Sequence, residues 1–362
     1  MRKALTLTVI SVLLAACGGA PVATTKSRPS SSVAEVSAAG TSLNCRLPVG
    51  GFIPPGLKGQ VDNSMDVDGQ PSQKGAGGFL QLPSGTYTPD ADSDRAYLAH
   101  TAGWLPVMPR AIAPDQRSYV LARSPRPTNA PPTTSLFLVD VKTKSERPLF
   151  TARDGEMATV LAFNPEGIYV ATISSIGGTG STELQLIDPS TGAHRLVPGA
   201  GATAGEQRIW TAVTGNAAWG MVISNLQQTQ TQPPMKLVRL NLDDGSAVDW
   251  YDASGPFIVA GFDGDKNPLL LSFGQSGTAN VALLTAPNKV VALQSKGGSY
   301  LGGQGTGITD AHGTWFGSGD GSVWLYNSAR GFEKVASIPP QAGGTGQPYD
   351  PHAWRTIAGP CV

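Results

Sequence analysis

The chain has 362 residues, with 26 basic residues against 26 acidic ones and only 14% of its positions charged. That balance leaves no basic stripe suited to nucleic acid and no acidic block that reads as a solvated tail. Gly 45 and Pro 29 together with many β-branched residues indicate turns and strands, and beyond residue 17 no stretch carries the 3.6-residue apolar face of a helix.

The first element is a targeting segment. Arg2 and Lys3 form a charged start, Ala4 to Leu14 an apolar run, and Leu14-Ala15-Ala16-Cys17 a small-residue cleavage site. The run falls short of the roughly 18 apolar residues a membrane-spanning helix needs. This arrangement resembles a bacterial lipoprotein signal, which implies removal of residues 1–16, acylation of Cys17 and anchoring on the extracytoplasmic side of a membrane. From Gly18 to about Asn44 the chain is rich in Ser, Ala, Thr and Gly, so residues 17–44 read as a flexible tether with a random-coil reach of roughly 30 Å.

Residues 45–362 repeat one unit. Asn164 to Val197 shows it most clearly: an Asn-Pro-Glu-Gly turn, an alternating strand, a Gly/Ser loop, a second strand, an Asp-Pro-Ser-Thr-Gly turn and a short returning strand. Copies run from Ala113 to Phe150, Asn216 to Tyr251, Asp263 to Leu293 and Asp310 to Ala336, with a weaker one from Gly77 to Thr88. The period of about 43 to 58 residues approaches that of a four-stranded propeller blade, the fourth strand being supplied by the segment before the turn, such as Met108 to Ile112 or Ala158 to Phe163. One such unit cannot bury both of its faces, so copies must stack on one another. The expectation is an all-β propeller of six blades, or seven if His352 to Val362 and Cys45 to Pro54 complete another. Cys45 and Cys361 bracket this region, and in an exported protein two remaining cysteines at the ends of a ring are expected to pair as its clasp.

The turns carry a resemblance. Ala113-Pro114-Asp115-Gln116 followed by Asp140, and Asn164-Pro165-Glu166-Gly167 followed by Asp188 to Gly192, resemble the blade pattern of TolB-like and WD-repeat-like β-propellers of bacterial envelopes. The resemblance implies a propeller and nothing about chemistry, because these positions serve backbone geometry. The Trp-Asp and Gly-His dipeptides of eukaryotic repeats are absent, as is the α/β domain that precedes the propeller in TolB itself.

Candidate chemistry is sparse. Asp90, Asp92 and Asp94 have calcium-loop spacing, but the positions that would need Gly and Glu are Arg95 and Thr101; Asp62, Asp66 and Asp68 form a second acidic cluster. Solvated loop acids are the expected outcome. Ser318 to Trp324 resembles a sialidase-type Asp box, a hairpin device. His100, His194, His312 and His352 lack metal-ligand spacing, and no GxSxG elbow or P-loop occurs. No metal and no cofactor is expected. Three long polar loops, 124–134, 174–181 and 224–234, should emerge together at one mouth of the ring, where binding residues tend to sit; Arg126, Asn129, Gln227, Gln228 and Gln230 are the candidates. The favoured function is a monomeric, lipid-anchored, non-catalytic module that binds a protein or glycan partner. The alternative is a propeller enzyme of glycosidase, lyase or lactonase type working through Asp92, Asp94, His100 and His312.

Overall fold

The computed structural model describes residues 43–51, 77–124, 133–174, 182–203, 205–224, 235–253, 255–273, 279–300, 307–318, 320–338 and 355–362. Cys17, the signal, nearly all of the tether, the acidic cluster at residues 62–68 and His352 lie outside the described residues. The described residues belong to one compact unit, Gly40–Val362.

Six sheets of three to five mainly antiparallel strands succeed one another along the chain, with one two-stranded hairpin between the first and the second. Blade 3 shows the plan. Glu156–Asn164 is innermost, followed outward by Gly167–Ser174, Thr182–Ile187 and His194–Leu196. Blade 4 repeats it with Glu206–Thr214, Ala217–Ser224, Met235–Asn241 and Ala247–Ala253, and blade 5 with Phe257–Phe262, Pro268–Phe273, Ala279–Ala286 and Lys289–Leu293. Blade 6 comprises Ile308–Asp310, Gly313–Gly317, Ser322–Asn327 and Gly331–Ser337, with Ser295–Lys296 added in parallel at its outer edge. Single-residue bulges at Leu161, Thr211 and Ala260 in three inner strands add the local twist that lets neighbouring sheets splay as wedges.

Blade 2 departs from the plan. Its sheet holds Ser118–Arg123, Ser135–Asp140 and Glu146–Thr151, while Met108 to Ile112, expected as the fourth strand, forms a 3-10 turn over Pro109–Ala111 and a single bridge from Ile112 to Tyr119. Pro109 removes an amide donor inside this segment, and Pro106 and Pro114 remove one on either side of it. A small hairpin, Ala96–Leu98 with Gly103–Leu105, precedes this segment and packs with it into the core shared by blades 2 and 3.

Blade 1 closes the ring. Arg355–Ile357 pairs with Arg46–Gly51, which pairs with Gly78–Gln81 and then Thr86–Pro89. The two terminal segments therefore complete one sheet and do not build a seventh blade. A disulfide joins Cys45 to Cys361 with Cα atoms 5.6 Å apart, and the Arg46 and Val362 backbones exchange hydrogen bonds of 2.7 and 3.0 Å beside it. Apolar clusters fill the wedges between blades 3 and 4, 4 and 5, 5 and 6, and 6 and 1. In the last of these Trp315 and Leu325 of blade 6 meet Leu47, Leu80 and Ile357 of blade 1, so seam and sulfur bond reinforce each other. Trp210, Trp219, Trp315 and Trp324 are all buried, which is the wedge-filling role their size suits.

Candidate functional site: a cationic cleft beside blade 2

In an antiparallel meander the turns joining strands one to two and three to four emerge at one end of the blade, and the turn joining two to three emerges at the other. In blade 2 the first kind are Pro114 to Arg117 and Val141 to Lys144. Together with the tip of the 96–105 hairpin they enclose a cleft of about 490 Å³, lined by His100, Trp104, Leu105, Gln116, Arg117, Asp140, Val141, Lys142 and Lys144 among others. It lies at the end of the blade opposite to Arg123 and Ser135, which pair where the second strand ends and the third begins.

Each wall is set by local chemistry. Asp140 caps its own turn, its Oδ1 accepting from the Lys142 amide at 3.0 Å and from the Thr143 amide and hydroxyl at 2.7 and 2.9 Å. These bonds, those from Thr143 foremost, hold its carboxyl below the usual range. Asp140 is therefore a fixed structural anion, unsuited to shuttling a proton. On the opposite wall the Trp104 indole donates to Asp90 Oδ2 at 3.0 Å, and its ring lies 5.1 Å from Tyr97 and 5.4 Å from Phe79. Leu105 is buried and Val141 half-buried beneath these groups. His100 Nδ1 lies 2.7 Å from Gln116 Oε1, an acceptor, so that nitrogen is the donor.

The cations are distinctive. Arg117, Lys142 and Lys144 line the cleft and are exposed, in a chain whose total charge balances. The Arg117 amide bonds Asp115 Oδ1 at 3.0 Å, and no carboxylate lies within ion-pair distance of any of the three side chains among the described residues. Lys144 also violates a rule that its siblings keep. In blades 1 to 4 the corresponding turn is closed by an amide bonding back four residues, from Gly85 to Gln81, Lys144 to Asp140, Gly192 to Asp188 and Gly245 to Asn241. All four closing residues have positive φ, at 72°, 58°, 77° and 73°. Three are glycine, for which that conformation carries no steric penalty; the fourth is a lysine, which bears one.

The other candidates are accounted for individually. Asp90 accepts the Asp92 amide at 2.9 Å as well as the Trp104 indole. Asp94 is buried, accepting the Arg95 amide at 2.8 Å, and so is not the solvated loop acid its sequence context suggests. Among the described residues no three His, Cys, Asp or Glu side chains gather as a metal site requires. Of Asp92, Asp94, His100 and His312, only His100 lines the cleft. His312 sits in the first turn of blade 6, its amide bonded to Asp310 at 2.8 Å, and His194 packs edge-on against Phe150. In the Asp-box-like segment, Asp320 accepts the Ser322 amide and hydroxyl at 2.9 and 2.8 Å, a hairpin-capping role. Arg126, Asn129, Gln227, Gln228 and Gln230 lie outside the described residues. The sequence alone does not show the cleft because its walls come from segments some 40 residues apart; a lysine where the outer turns of blades 1, 3 and 4 place glycine was the available signal.

No protein-family model matches this chain, and no curated protein matches it. Among solved structures it is similar to TolB from Acinetobacter baumannii, at 12% identity over 80% of this chain and 63% of that one, with a TM-score of 0.44. It is also similar to an oligogalacturonate lyase in complex with manganese, at 13% identity over 64% of this chain and 65% of that one, TM-score 0.47. An acylaminoacyl peptidase in complex with a chloromethyl ketone matches at 11% identity over 73% of this chain and 41% of that one, TM-score 0.40. The chain thus spans less than two thirds of the length of each. Likeness at this level concerns fold and carries no inference about chemistry.

Proposed function

We propose that this propeller is a non-catalytic binding module, exported and held at the extracytoplasmic face of a bacterial membrane by lipid on Cys17, and that its ligand enters the cleft beside blade 2. The observation that carries the reading is the composition of that cleft. An apolar floor and three exposed cations that form no ion pair among the described residues suit capture of a ligand, whereas the one carboxylate of the lining, lowered by its bonds from Thr143 and in part by Lys142, is already engaged by three donors. A disulfide closing the ring supports an oxidising compartment, and the apolar run ending in Leu14-Ala15-Ala16-Cys17 supports the anchor.

A fragment screen followed by amide chemical shifts tests the site. Anionic fragments with an apolar body are expected to shift the amides of Gln116, Arg117 and Val141 to Lys144 together. Fragments that shift the inner strands while leaving these turns unmoved would refute the assignment. Metabolic labelling with a fatty acid tests the anchor: label should be incorporated by the wild type and lost in Cys17→Ser.

A further inference from the structure

Building on the reading of the cleft as a ligand site, we infer that its ligand is an acidic peptide segment centred on one large apolar side chain, presented by a partner protein. The floor points to the anchor. Trp104, Leu105 and Val141 give the lining an apolar patch beside its polar residues His100, Thr101 and Gln116, and a large apolar side chain seated on that patch is buried without stranding a polar group. Such a side chain also benefits from a preformed wall, because Trp104 is fixed by Asp90 and by the Tyr97 and Phe79 rings before anything binds. At about 490 Å³ the cleft accommodates such an anchor with its flanking backbone.

The rim supplies the second half of the recognition. Arg117 projects from one turn and Lys142 and Lys144 from the other, so cations flank the floor on two sides. A segment whose anchor residue enters the cleft would lay neighbouring Asp or Glu side chains against them. Rim charges of this kind steer encounter and set salt dependence. Lys144 holds a left-handed backbone, as Ala102, Gln116, Lys266 and Asn288 also do, and it places a cation at this edge of the cleft where the matching turns of blades 1, 3 and 4 have glycine.

The test is a selection from a random peptide display library on the intact oxidised protein, with counter-selection on Arg117→Ala/Lys142→Ala/Lys144→Gly. Enriched sequences should place Asp or Glu on both sides of Trp, Phe or Leu. A synthetic peptide of that sequence should bind about 3-fold more weakly to Arg117→Ala or Lys142→Ala alone, and at least about 10-fold more weakly to the triple variant. Its affinity should fall as salt rises from about 0.05 to 0.3 M. Val141→Ser should weaken binding without altering the salt dependence. Enriched peptides that are neutral or basic yet sensitive to the cleft substitutions would overturn the ligand class while leaving the cleft as the site. Peptides that bind the triple variant as tightly as wild type would overturn the site itself. Retention on an acidic polysaccharide, abolished by the triple variant, in a protein that enriches no peptide would overturn the peptide in favour of a glycan.

Discussion

Replacing both Cys45 and Cys361 with serine tests how the ring is held shut. The bond spans 316 residues, for which the loop-entropy relation gives an upper bound of about 5–6 kcal/mol, with measured losses for native disulfides typically about 2–5 kcal/mol. What remains at the seam is three residue pairs between Arg46–Gly51 and Arg355–Ile357, the backbone bonds of Arg46 with Val362 and of Ala358 with Pro48 and Tyr97, the Cys361 amide on Asp310, and the apolar contact of Leu47 and Ile357 with Trp315 and Leu325. The last strand should therefore open locally before the blades unfold. A loss of about 3–4 kcal/mol corresponds to a rise of roughly 100- to 1000-fold in amide exchange at Val49 and Ile357. Blades 3 and 4, on the far side of the ring, should keep their protection at pH 7 and 25 °C. Hydrogen exchange resolved by residue, on oxidised and serine forms, reads this directly. Equal protection at the seam in both forms would refute the clasp, and uniform loss across all blades would refute local opening.

Other substitutions probe the same architecture. Asp310 accepts the His312 amide, the Trp315 indole and the Cys361 amide, all at 2.8 Å, so Asp310→Ala strands three donors and should cost about 2–4 kcal/mol in denaturant unfolding; a loss under about 1 kcal/mol would count against it. Asp188 has its carboxyl lowered from 3.8 to about 2 by the Ser190 hydroxyl and amide. A depressed carboxylate contributes stability that is fully present above the unfolded value and is lost as pH falls through the folded one. Asp188→Asn should therefore flatten the stability curve between pH 3.8 and about 2, and an unchanged acid limb would contradict this. Burial raises the Tyr300 phenol well above its ordinary value. That contribution is present below the unfolded value near 10.0 and fades as pH rises past it. Tyr300→Phe should thus shallow the alkaline limb while losing about 0.5–1.5 kcal/mol at neutral pH from the bond to the Gly317 carbonyl.

Much of the scaffold was legible because turn chemistry is local. Asp140, Asp188 and the Asp-Asp-Gly of blade 4 announce the outer hairpins by residue type, and each caps or closes its turn as its spacing predicts. The pairing of Cys45 with Cys361 follows from a repeat region bracketed by two thiols. What escaped was tertiary. The 96–105 hairpin holds only short strands, and its acidic approach imitates a calcium loop. Pro109, flanked by Pro106 and Pro114, marks the inner segment of blade 2 as unsuited to a ladder, whereas the repeat period alone predicts a strand there. The cleft depends on how that irregular segment meets two turns, and strand periodicity does not encode such a meeting.

The most direct measurement is the affinity of Lys144→Gly for a cleft-selected acidic peptide, by titration calorimetry, in a protein whose unfolding free energy is measured alongside. Glycine relieves the left-handed backbone, so stability should rise by about 0.5–1 kcal/mol while the peptide binds about 3-fold or more weakly. A variant that gains stability and binds the peptide as tightly as wild type would show that Lys144 contributes nothing to recognition, and the same result for Arg117→Ala/Lys142→Ala/Lys144→Gly would contradict the assignment of this cleft as the place where the propeller meets its partner.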